Sequence, residues 1–456
     1  MLSYPESVSR LLELGHELHR TPSHKFDLAH MRVFMEALGH PERQFPSVLI
    51  AGTNGKGSTA ATLSSILHAA GYRTGLYTSP HLVRINERIR LDGTPIDDDL
   101  FAAVYEHVEE VAQELVGEGK LPWHPSYFET VTAIAFECFA RLRLDIAVLE
   151  VGMGGRLDAT NIVEPLVSVI TDIDLDHQKF LGNTIGEIAR EKAGIIRQGR
   201  PTVTLPQHPE ANEVLGKGMI DAGAVAVNAA KNMPPVSPGA ESLFDTSEPG
   251  RTRYMMNVMG EEILVDSPLV GRHQLRNIAL AVTAAEELVK QGYAITAHQV
   301  ADGIARTHWS GRFQYIAGER DRPEIVLDVA HNPAGAWALR GALSERFLDR
   351  PLYIVFGAMR DKAIDEIASI LFPKAEVVIA THTDHNPRCA TTPEIVAAGS
   401  RTGAEIVEVP VVKEAIAKAI ELASTHRPRS YGAPIIVITG SIYIVGEAME
   451  ALGLKP

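Results

Sequence analysis

A single glycine-rich segment restricts the fold of this chain more than any other feature. The apolar run Val48–Ala51 leads into GTNGKGST at residues 52–59, and a helical pattern follows that ends before Gly71. Glycines allow backbone N–H groups and a helix N-terminus to face phosphate oxygens, a lysine adds positive charge, and a hydroxyl can reach magnesium. This order of strand, loop and helix predicts a phosphate-binding loop, the P-loop, within a parallel α/β sheet.

The loop departs from the usual pattern G-x-x-x-x-G-K-[ST], because Gly57 separates Lys56 from Ser58. The alternative interpretation is a plain glycine turn that carries a solvated lysine. The order of strand, glycines, lysine, hydroxyls and helix favours the phosphate site over the plain turn. The motif does not define the reaction, since nucleotide switches, pumps and transferases share it.

The length of 456 residues exceeds what one compact core accommodates, so two domains are expected. In the first, apolar runs at 145–151 and 166–171 alternate with helical patterns, which is typical of a mostly parallel, doubly wound sheet. Between residues 201 and 265 this alternation fails, and we expect an insertion or a sheet edge there. Within that segment, Tyr254–Val258 and Ile263–Val265 predict an antiparallel hairpin.

A second regular alternation begins after Arg312 and predicts a smaller, Rossmann-like α/β domain. The domain boundary is expected between Gly303 and Arg322, which gives an N-terminal domain at 1–310 and a C-terminal domain at 311–456. The expected strands of the second domain are Glu324–Val329, Leu352–Phe356, Glu376–Ala380, Glu405–Val409 and Ile435–Thr439.

The overall composition narrows the class of partner. A net charge of -14 repels a nucleic-acid backbone, and the longest apolar runs are of strand length, far short of a membrane span. The first thirty residues do not resemble an export signal. Cys138 and Cys389 are too few for a disulfide framework or a cysteine metal site. These features predict a cytoplasmic protein that acts on small molecules, without nucleic acid or membrane as its partner.

Polar side chains gather at the ends of two predicted strands. Glu150 ends the first, and the second ends in the run Asp172–His177, which holds three acids and a histidine. Because parallel strands end at one edge of a sheet, these groups should lie near the P-loop, where a carboxylate can hold magnesium on nucleotide phosphates. The glycines at 152–155 also suggest a dinucleotide site, but their spacing is G-x-G-G rather than G-x-G-x-x-G. Considered by its local sequence alone, Lys192 is typical of a lysine on the exposed side of a surface helix.

Eight segments, extending from about residue 50 to residue 445, carry a resemblance to a known family. They are AGTNGKGST, YTSPHLVRINERI, LEVGMGGRLDATN, DIDLDHQKFLG, EKAGI, GRHQLRN, LDVAHNP and TGSIYIV. The chain resembles the dihydrofolate synthase/folylpolyglutamate synthase family of the Mur ligase superfamily. All Mur-type ligases share the P-loop, whereas the TSPH and GGRLDATN segments are typical of a much smaller group of these ligases.

The resemblance implies ATP and magnesium as cofactors. Nucleotide contacts are implied for Thr53, Asn54, Gly55, Lys56, Gly57, Ser58, Asn277, Arg312 and Asp328. One magnesium ion would be bound by Ser79, Glu150 and His177. Lys192 matches a lysine that carries a carbamate in these enzymes, and that anionic group would hold a second ion.

The resemblance also implies the substrates, dihydropteroate or folates together with L-glutamate. The folate side would be bound by Asp27, Leu28, Ser126, Tyr127, Phe128, Glu129, Leu157, Asp158 and Ala159. Ser441 and His331 are implied contacts to glutamate or the reacting phosphate, and the implied catalytic residues are Lys56, Lys192 and His331. A monomer is expected.

The implied reaction activates a carboxylate as an acyl phosphate, which a glutamate amine then attacks. Arg156–Ala159 resembles the version that accepts dihydropteroate, so a bifunctional enzyme is expected, with elongation of folates alone as the alternative. Another Mur-type amino-acid ligase is a second alternative. A GTP switch is disfavoured because no asparagine in the chain is followed by lysine, as the guanine-binding motif N-K-x-D requires.

Overall fold

The computed structural model describes residues 2–15, 28–234, 244–245, 247–320, 322–383, 386–425 and 432–456. Within them lie an eight-stranded sheet, a two-stranded hairpin and a six-stranded sheet. The two larger sheets are mixed but mostly parallel, and helices cover their faces. Two α/β units of this kind match the expected fold class.

The helices are α1 (Tyr4–Glu13), α2 (Leu28–Ala37), α3 (Lys56–Ala69), α4 (Asp98–Gly117), α5 (Tyr127–Arg141), α6 (Gln178–Leu181), α7 (Ile185–Ala193), α8 (Pro209–Ala222), α9 (Arg272–Val289), α10 (Ala297–Arg306), α11 (Pro333–Arg346), α12 (Ile364–Leu371), α13 (Thr392–Gly399), α14 (Val412–Thr425) and α15 (Ile442–Ala451). The strands are β1 (Ser47–Ala51), β2 (Thr74–Tyr77), β3 (Ile89–Leu91), β4 (Thr94–Pro95), β5 (Ile146–Glu150), β6 (Val167–Ile170), β7 (Pro201–Thr204), β8 (Val225–Asn228), β9 (Thr252–Val258), β10 (Glu261–Ser267), β11 (Gln314–Ile316), β12 (Glu324–Leu327), β13 (Leu352–Phe356), β14 (Val377–His382), β15 (Glu405–Val411) and β16 (Ile435–Thr439).

The first sheet places the P-loop strand at its centre. Its order is β4-β3-β2-β5-β1-β6-β7-β8, so β1 lies between β5 and β6. All five residues of β1 are buried, as expected for a parallel strand covered on both faces. Ile50 pairs with Glu150 on one side and with Val169 on the other. The predicted polar strand ends are thereby brought to the two sides of the P-loop.

The segment from 201 to 265 differs in part from the expectation. The alternation continues through β7, α8 and β8, which extend the sheet in parallel to its edge. The predicted sheet edge is therefore confirmed. The predicted loss of alternating strands and helices is wrong for the segment from β7 to β8. The predicted hairpin is confirmed as β9 and β10, with Met255 opposite Leu264. Strands β2, β3 and β4 had not been anticipated.

The second sheet has the order β11-β12-β16-β13-β14-β15, and β11 is its antiparallel member. All five predicted strands are present: two have the predicted bounds, and the ends of the other three differ by one or two residues. The linker between α10 and β11 runs from Thr307 to Phe313, within the predicted boundary region. In the described part of the chain, none of the helices has the length and apolar character to cross a membrane.

Candidate active site

A cleft of about 770 Å³ lies between the two sheets. The first domain contributes the ends of β1, β5 and β6, and the second contributes the loop after β12 and the start of α11. Parallel sheets expose loops and helix N-termini at the carboxyl ends of their strands, which is why polar groups from both domains meet here. One end of the cleft is charged and the other is mainly apolar and aromatic.

The P-loop is held by its own lysine. Lys56 begins α3, and its Nζ donates to the carbonyl oxygens of Gly52 (3.1 Å) and Thr53 (3.3 Å). Thr53 is tied to the end of β6, because its N–H donates to the carbonyl of Asp172 at 2.8 Å. The loop is therefore folded around the lysine by hydrogen bonds within the protein.

The extra glycine of the loop has a steric reason. A Cβ at Gly57 would lie 2.9 Å from the ring of Trp309, which belongs to the linker between the domains. Such an approach is closer than carbon atoms tolerate, so the indole occupies the space of a side chain. The departure from the usual P-loop pattern thus matches the packing of the linker against the first turn of α3.

Lys192 is a buried cation rather than the surface residue that its local sequence suggests. It lies in α7, and its Nζ donates to the same Gly52 carbonyl at 2.7 Å. Burial, reinforced by the nearby Lys56, lowers the pKa of Lys192 to about 7. A lysine of this kind carries a substantial neutral fraction near neutral pH.

Glu150, Ser79 and His177 lie at the same end of the cleft. One carboxylate oxygen of Glu150 accepts from the Ser79 N–H at 3.3 Å, and burial raises the Glu150 pKa although Lys56 opposes this. Burial also lowers the pKa of His177 to about 4, so its imidazole is neutral at physiological pH. Among the described residues, no three histidine, cysteine, aspartate or glutamate side chains form a cluster suited to a metal.

An ion pair that was not predicted joins the two domains. Asp176, after β6, accepts from Lys362 Nζ at 2.7 Å, and both side chains are about one-tenth exposed, at 10% and 11%. His331 Nε2 lies 3.7 Å from the other oxygen of Asp176. Burial raises the Asp176 pKa, but the interaction with His331 and the positive charge of Lys362 outweigh it and hold the pKa below its usual range. The acidic run pointed to Asp176, but no sequence pattern linked it to Lys362.

One further contact between the domains, and several contacts within the second domain, lie in the same cleft. Asn332 caps α11, and its side-chain N–H donates to Asn54 Oδ1 of the P-loop at 3.0 Å. Asp328 accepts from the backbone N–H groups of Phe313 and Ala330, while burial raises its pKa and lowers that of the neighbouring Arg312. The P-loop and the second domain are thus in direct contact through Asn54 and Asn332.

The apolar end is formed by the start of α5 and the loop after β5. Phe128 packs against Gly152, where a Cβ would lie 2.5 Å from the ring. Asp158 caps a short 3-10 helix: one oxygen accepts from the N–H and hydroxyl of Thr160, and the other from the Met153 N–H at 2.9 Å. Burial raises its pKa despite these bonds. The carboxylate therefore holds the shape of this loop.

Two family models match the chain, the Mur ligase middle domain at residues 126–285 and the Mur ligase glutamate ligase domain at residues 311–442. The dihydrofolate synthase/folylpolyglutamate synthase of Bacillus subtilis is 34% identical over 93% of this chain and 94% of its own length. The protein of that description from Mycobacterium tuberculosis is 35% identical over 99% of this chain and 96% of its own. This chain belongs to the dihydrofolate synthase/folylpolyglutamate synthase family.

Solved structures agree with this membership of the dihydrofolate synthase/folylpolyglutamate synthase family. Mycobacterium tuberculosis folylpolyglutamate synthase, complexed with ADP and AMPPCP, superposes with a TM-score of 0.88 at 34% identity, covering 99% of this chain and all of the other. Escherichia coli FolC in complex with DHPP and ADP gives a TM-score of 0.81 at 28% identity, covering 99% and 98%. As a family member, the chain is an ATP-dependent ligase.

The cleft contains almost every residue that the family resemblance singled out. Asp27 lies outside the described residues, and all the other predicted nucleotide, magnesium, folate and catalytic residues line the cleft. Their individual roles stay predictions. Asp176, Asn332 and Lys362 had not been assigned a role, because their proximity depends on how two distant parts of the chain meet.

Proposed function

We propose that this protein adds L-glutamate to dihydropteroate and to the glutamates of folates, through an acyl phosphate formed with ATP. The observation that carries the proposal is a single cleft that joins a P-loop and two lysines to an aromatic pocket, in a chain of this family. Such a cleft suits an acceptor with a flat ring system at one end and a carboxylate at the other.

The proposal divides the work between the two domains. Residues 1–310 bind ATP and the folate side, and residues 311–456 bind glutamate and close on the nucleotide. The match of the glutamate ligase model to residues 311–442 supports this division. The contact of Asn332 with Asn54 provides a direct route by which closure affects the P-loop.

Magnesium fits the residues that are present. Glu150 is a carboxylate whose pKa is raised by burial, so a bound cation would favour its charged form, and Ser79 and the neutral His177 add an oxygen and a nitrogen donor. These three side chains would hold one ion, and a carbamate on Lys192 would hold a second. The bound ions would neutralise charge on the phosphates during transfer.

The lowered pKa of Lys192 supports the formation of a carbamate on its amine. Carbamate formation requires a neutral amine, which attacks carbon dioxide and releases one proton. Because burial lowers the Lys192 pKa to about 7, this amine is available near neutral pH, whereas an ordinary lysine is almost fully charged there.

In the proposed mechanism, the acceptor carboxylate attacks the γ-phosphorus of ATP, and Lys56 stabilises the charge of the transferring group. The cleft closed by the second domain then keeps water from the acyl phosphate. The glutamate amine attacks the acyl carbon, phosphate leaves, and an amide results. ADP and phosphate are the other products.

His331 is the proposed proton acceptor for this amine. Its Nδ1 lies 2.9 Å from the Val329 carbonyl, so Nδ1 carries the proton in the neutral ring. Nε2 is then the basic nitrogen, and it faces Asp176 within the cleft. Asp176 would stabilise the imidazolium that forms when Nε2 takes up the proton.

The test uses the purified chain with ATP, magnesium and L-glutamate. We expect ADP and a glutamylated product with dihydropteroate, and separately with tetrahydrofolate. Elongation of tetrahydrofolate without use of dihydropteroate would reduce the function to folylpolyglutamate synthesis. Activity with neither acceptor, but with another carboxylate, would favour a different amino-acid ligase.

The acyl phosphate has its own test. Hydroxylamine in place of glutamate should give a pteroyl hydroxamate, with ADP as the nucleotide product. AMP and pyrophosphate would instead indicate an adenylate and overturn the mechanism.

Two further predictions concern the protein as a whole. A cytoplasmic location is proposed, and it accords with Cys138 and Cys389, which are buried free thiols. A monomer is proposed as well, because the cleft described above is assembled within one chain.

A further inference from the structure

Trp123 lies at the apolar end of the cleft, in the loop between α4 and α5. It lines the cleft together with Leu28, Met31 and Tyr127, and 37% of its surface is exposed. An indole that is partly exposed at the wall of a cavity presents a large, rigid apolar surface. The family resemblance did not include this residue.

The indole is backed by a histidine from another element. The ring of His30, in α2, stacks on Trp123 with centroids 5.6 Å apart and an interplanar angle of 21°. His30 Nε2 lies 3.1 Å from the Trp123 carbonyl oxygen, and Nδ1 lies 3.2 Å from Glu129 Oε1. Both partners are acceptors, so both hydrogen bonds form only when each ring nitrogen carries a proton. The buried ring is then a cation paired with Glu129.

Glu129 passes this restraint to the start of α5. Its other oxygen accepts from the N–H and the hydroxyl of Ser126, each at 2.7 Å, in a capping box. On the opposite side of the loop, His124 Nε2 lies 3.2 Å from Glu109 of α4. The loop that carries Trp123 is thus attached to three helices, and contacts within the protein fix the position of the indole.

We propose that Trp123 determines specificity by packing against the flat rings of the pteroyl acceptor, and that His30 positions it. The inference rests on the proposed function, since it assigns a contact to the acceptor of that reaction. His30 lies behind the indole and is not among the residues lining the cleft, so it acts through Trp123 and Glu129.

The first test separates acceptor binding from the other steps. In Trp123→Ala, the KM for dihydropteroate or tetrahydrofolate should rise about threefold to tenfold, with the KM for ATP and kcat within twofold of wild type. Trp123→Phe should restore most of the acceptor affinity, because it keeps a flat ring. Trp337→Ala is the matched control: Trp337 is 58% exposed and packs on Arg340, outside the cleft.

The second test concerns His30. His30→Leu should raise the acceptor KM to a similar extent, and the double variant with Trp123→Ala should show little further loss, since both changes remove one contact. A purely structural role would lower thermal stability while leaving the ratio of the acceptor KM to the ATP KM unchanged.

If Trp123→Ala or His30→Leu folds poorly, a fluorescence measurement on the wild-type protein and Trp123→Phe tests the same contact. The chain has three tryptophans, and binding of the acceptor should quench a part of the emission that is missing in Trp123→Phe. An unchanged acceptor KM in Trp123→Ala, or equal quenching in Trp123→Phe, would overturn the inference. Failure of the wild-type protein to use any pteroyl acceptor would instead overturn the proposed function.

Discussion

The two ends of the cleft differ in the partners of their buried charged side chains. At the nucleotide end, Lys56 and Lys192 share the carbonyl of Gly52, and Glu150 is a buried carboxylate with a raised pKa. At the acceptor end, the carboxylates of Asp158 and Glu129 are engaged by donors from their own loops and by His30. Charge at the first end is available to a ligand, whereas charge at the second end maintains a shape.

This difference has an energetic consequence. A buried charge without a matched partner is costly, and a bound ligand of opposite charge recovers that cost. A buried carboxylate with several hydrogen bonds stabilises the fold, and its removal leaves donors without partners. Substitutions at the nucleotide end should therefore affect turnover more than stability, and the reverse should hold at the acceptor end.

The largest effect is expected for Lys56→Ala. Turnover should fall on the order of 10²-fold or more, because a preorganised charge is lost from the transition state, while the melting temperature stays within a few degrees or rises. The measurements are ADP formation and thermal unfolding. Lys217→Ala, at an exposed position of α8, is the control and should resemble wild type. A large loss of stability in Lys56→Ala would show that charge at the nucleotide end also maintains the fold.

A smaller loss is expected for Glu150→Gln. Activity should fall by about tenfold to a hundredfold and recover only in part with excess magnesium, as for other changes around a metal site. Because the raised pKa shows that burial of the charge is unfavourable, the nucleotide-free variant should be at least as stable as wild type. A magnesium titration of ADP formation checks the first point. An unchanged magnesium dependence would exclude Glu150 as a ligand.

Asp158→Ala should affect stability more than turnover, the reverse of the expectation for Lys56→Ala. The free energy of unfolding should fall by about 1 to 3 kcal/mol, since the Thr160 and Met153 donors lose their acceptor. The kcat/KM for dihydropteroate should fall about tenfold, and that for polyglutamylated folates by less, because the tail adds contacts. Denaturant unfolding and the two activities test this. Equal losses of both activities with normal stability would place Asp158 in catalysis.

The last expected effect is gradual, a change of stability with pH. The Lys192 pKa is about 7 in the folded protein and about 10.4 in an unfolded chain, so between these values the unfolded state binds one more proton. Stability should therefore rise with pH in this window, by at most about 1.4 kcal/mol per pH unit. Lys192→Met should remove this increment in buffer free of nucleotide, metal and carbon dioxide. An identical slope in wild type and Lys192→Met would show that Lys192 does not titrate there.

Most of the charged end was predictable from the sequence. The P-loop and the run 172–177 follow buried strands, Glu150 ends another, and strand order alone brings them to one edge of the sheet. The five strands of the second domain were predictable for the same reason, since buried parallel strands are continuous apolar runs. Strands β7 and β8 were missed because each has only four residues, and those of the edge strand β8 remain largely exposed and carry no clear apolar pattern.

Local sequence therefore specified the chemistry that each strand end carries, because a P-loop or a strand-end carboxylate depends on residues adjacent along the chain. It did not specify which distant residues meet. Lys362 reaches Asp176 across 186 residues, His30 reaches Glu129 across 99, and Trp309 fills the space beside Gly57. These contacts depend on the packing of separate elements, and burial in that packing turned Lys192 from an apparent surface lysine into a cation with a lowered pKa.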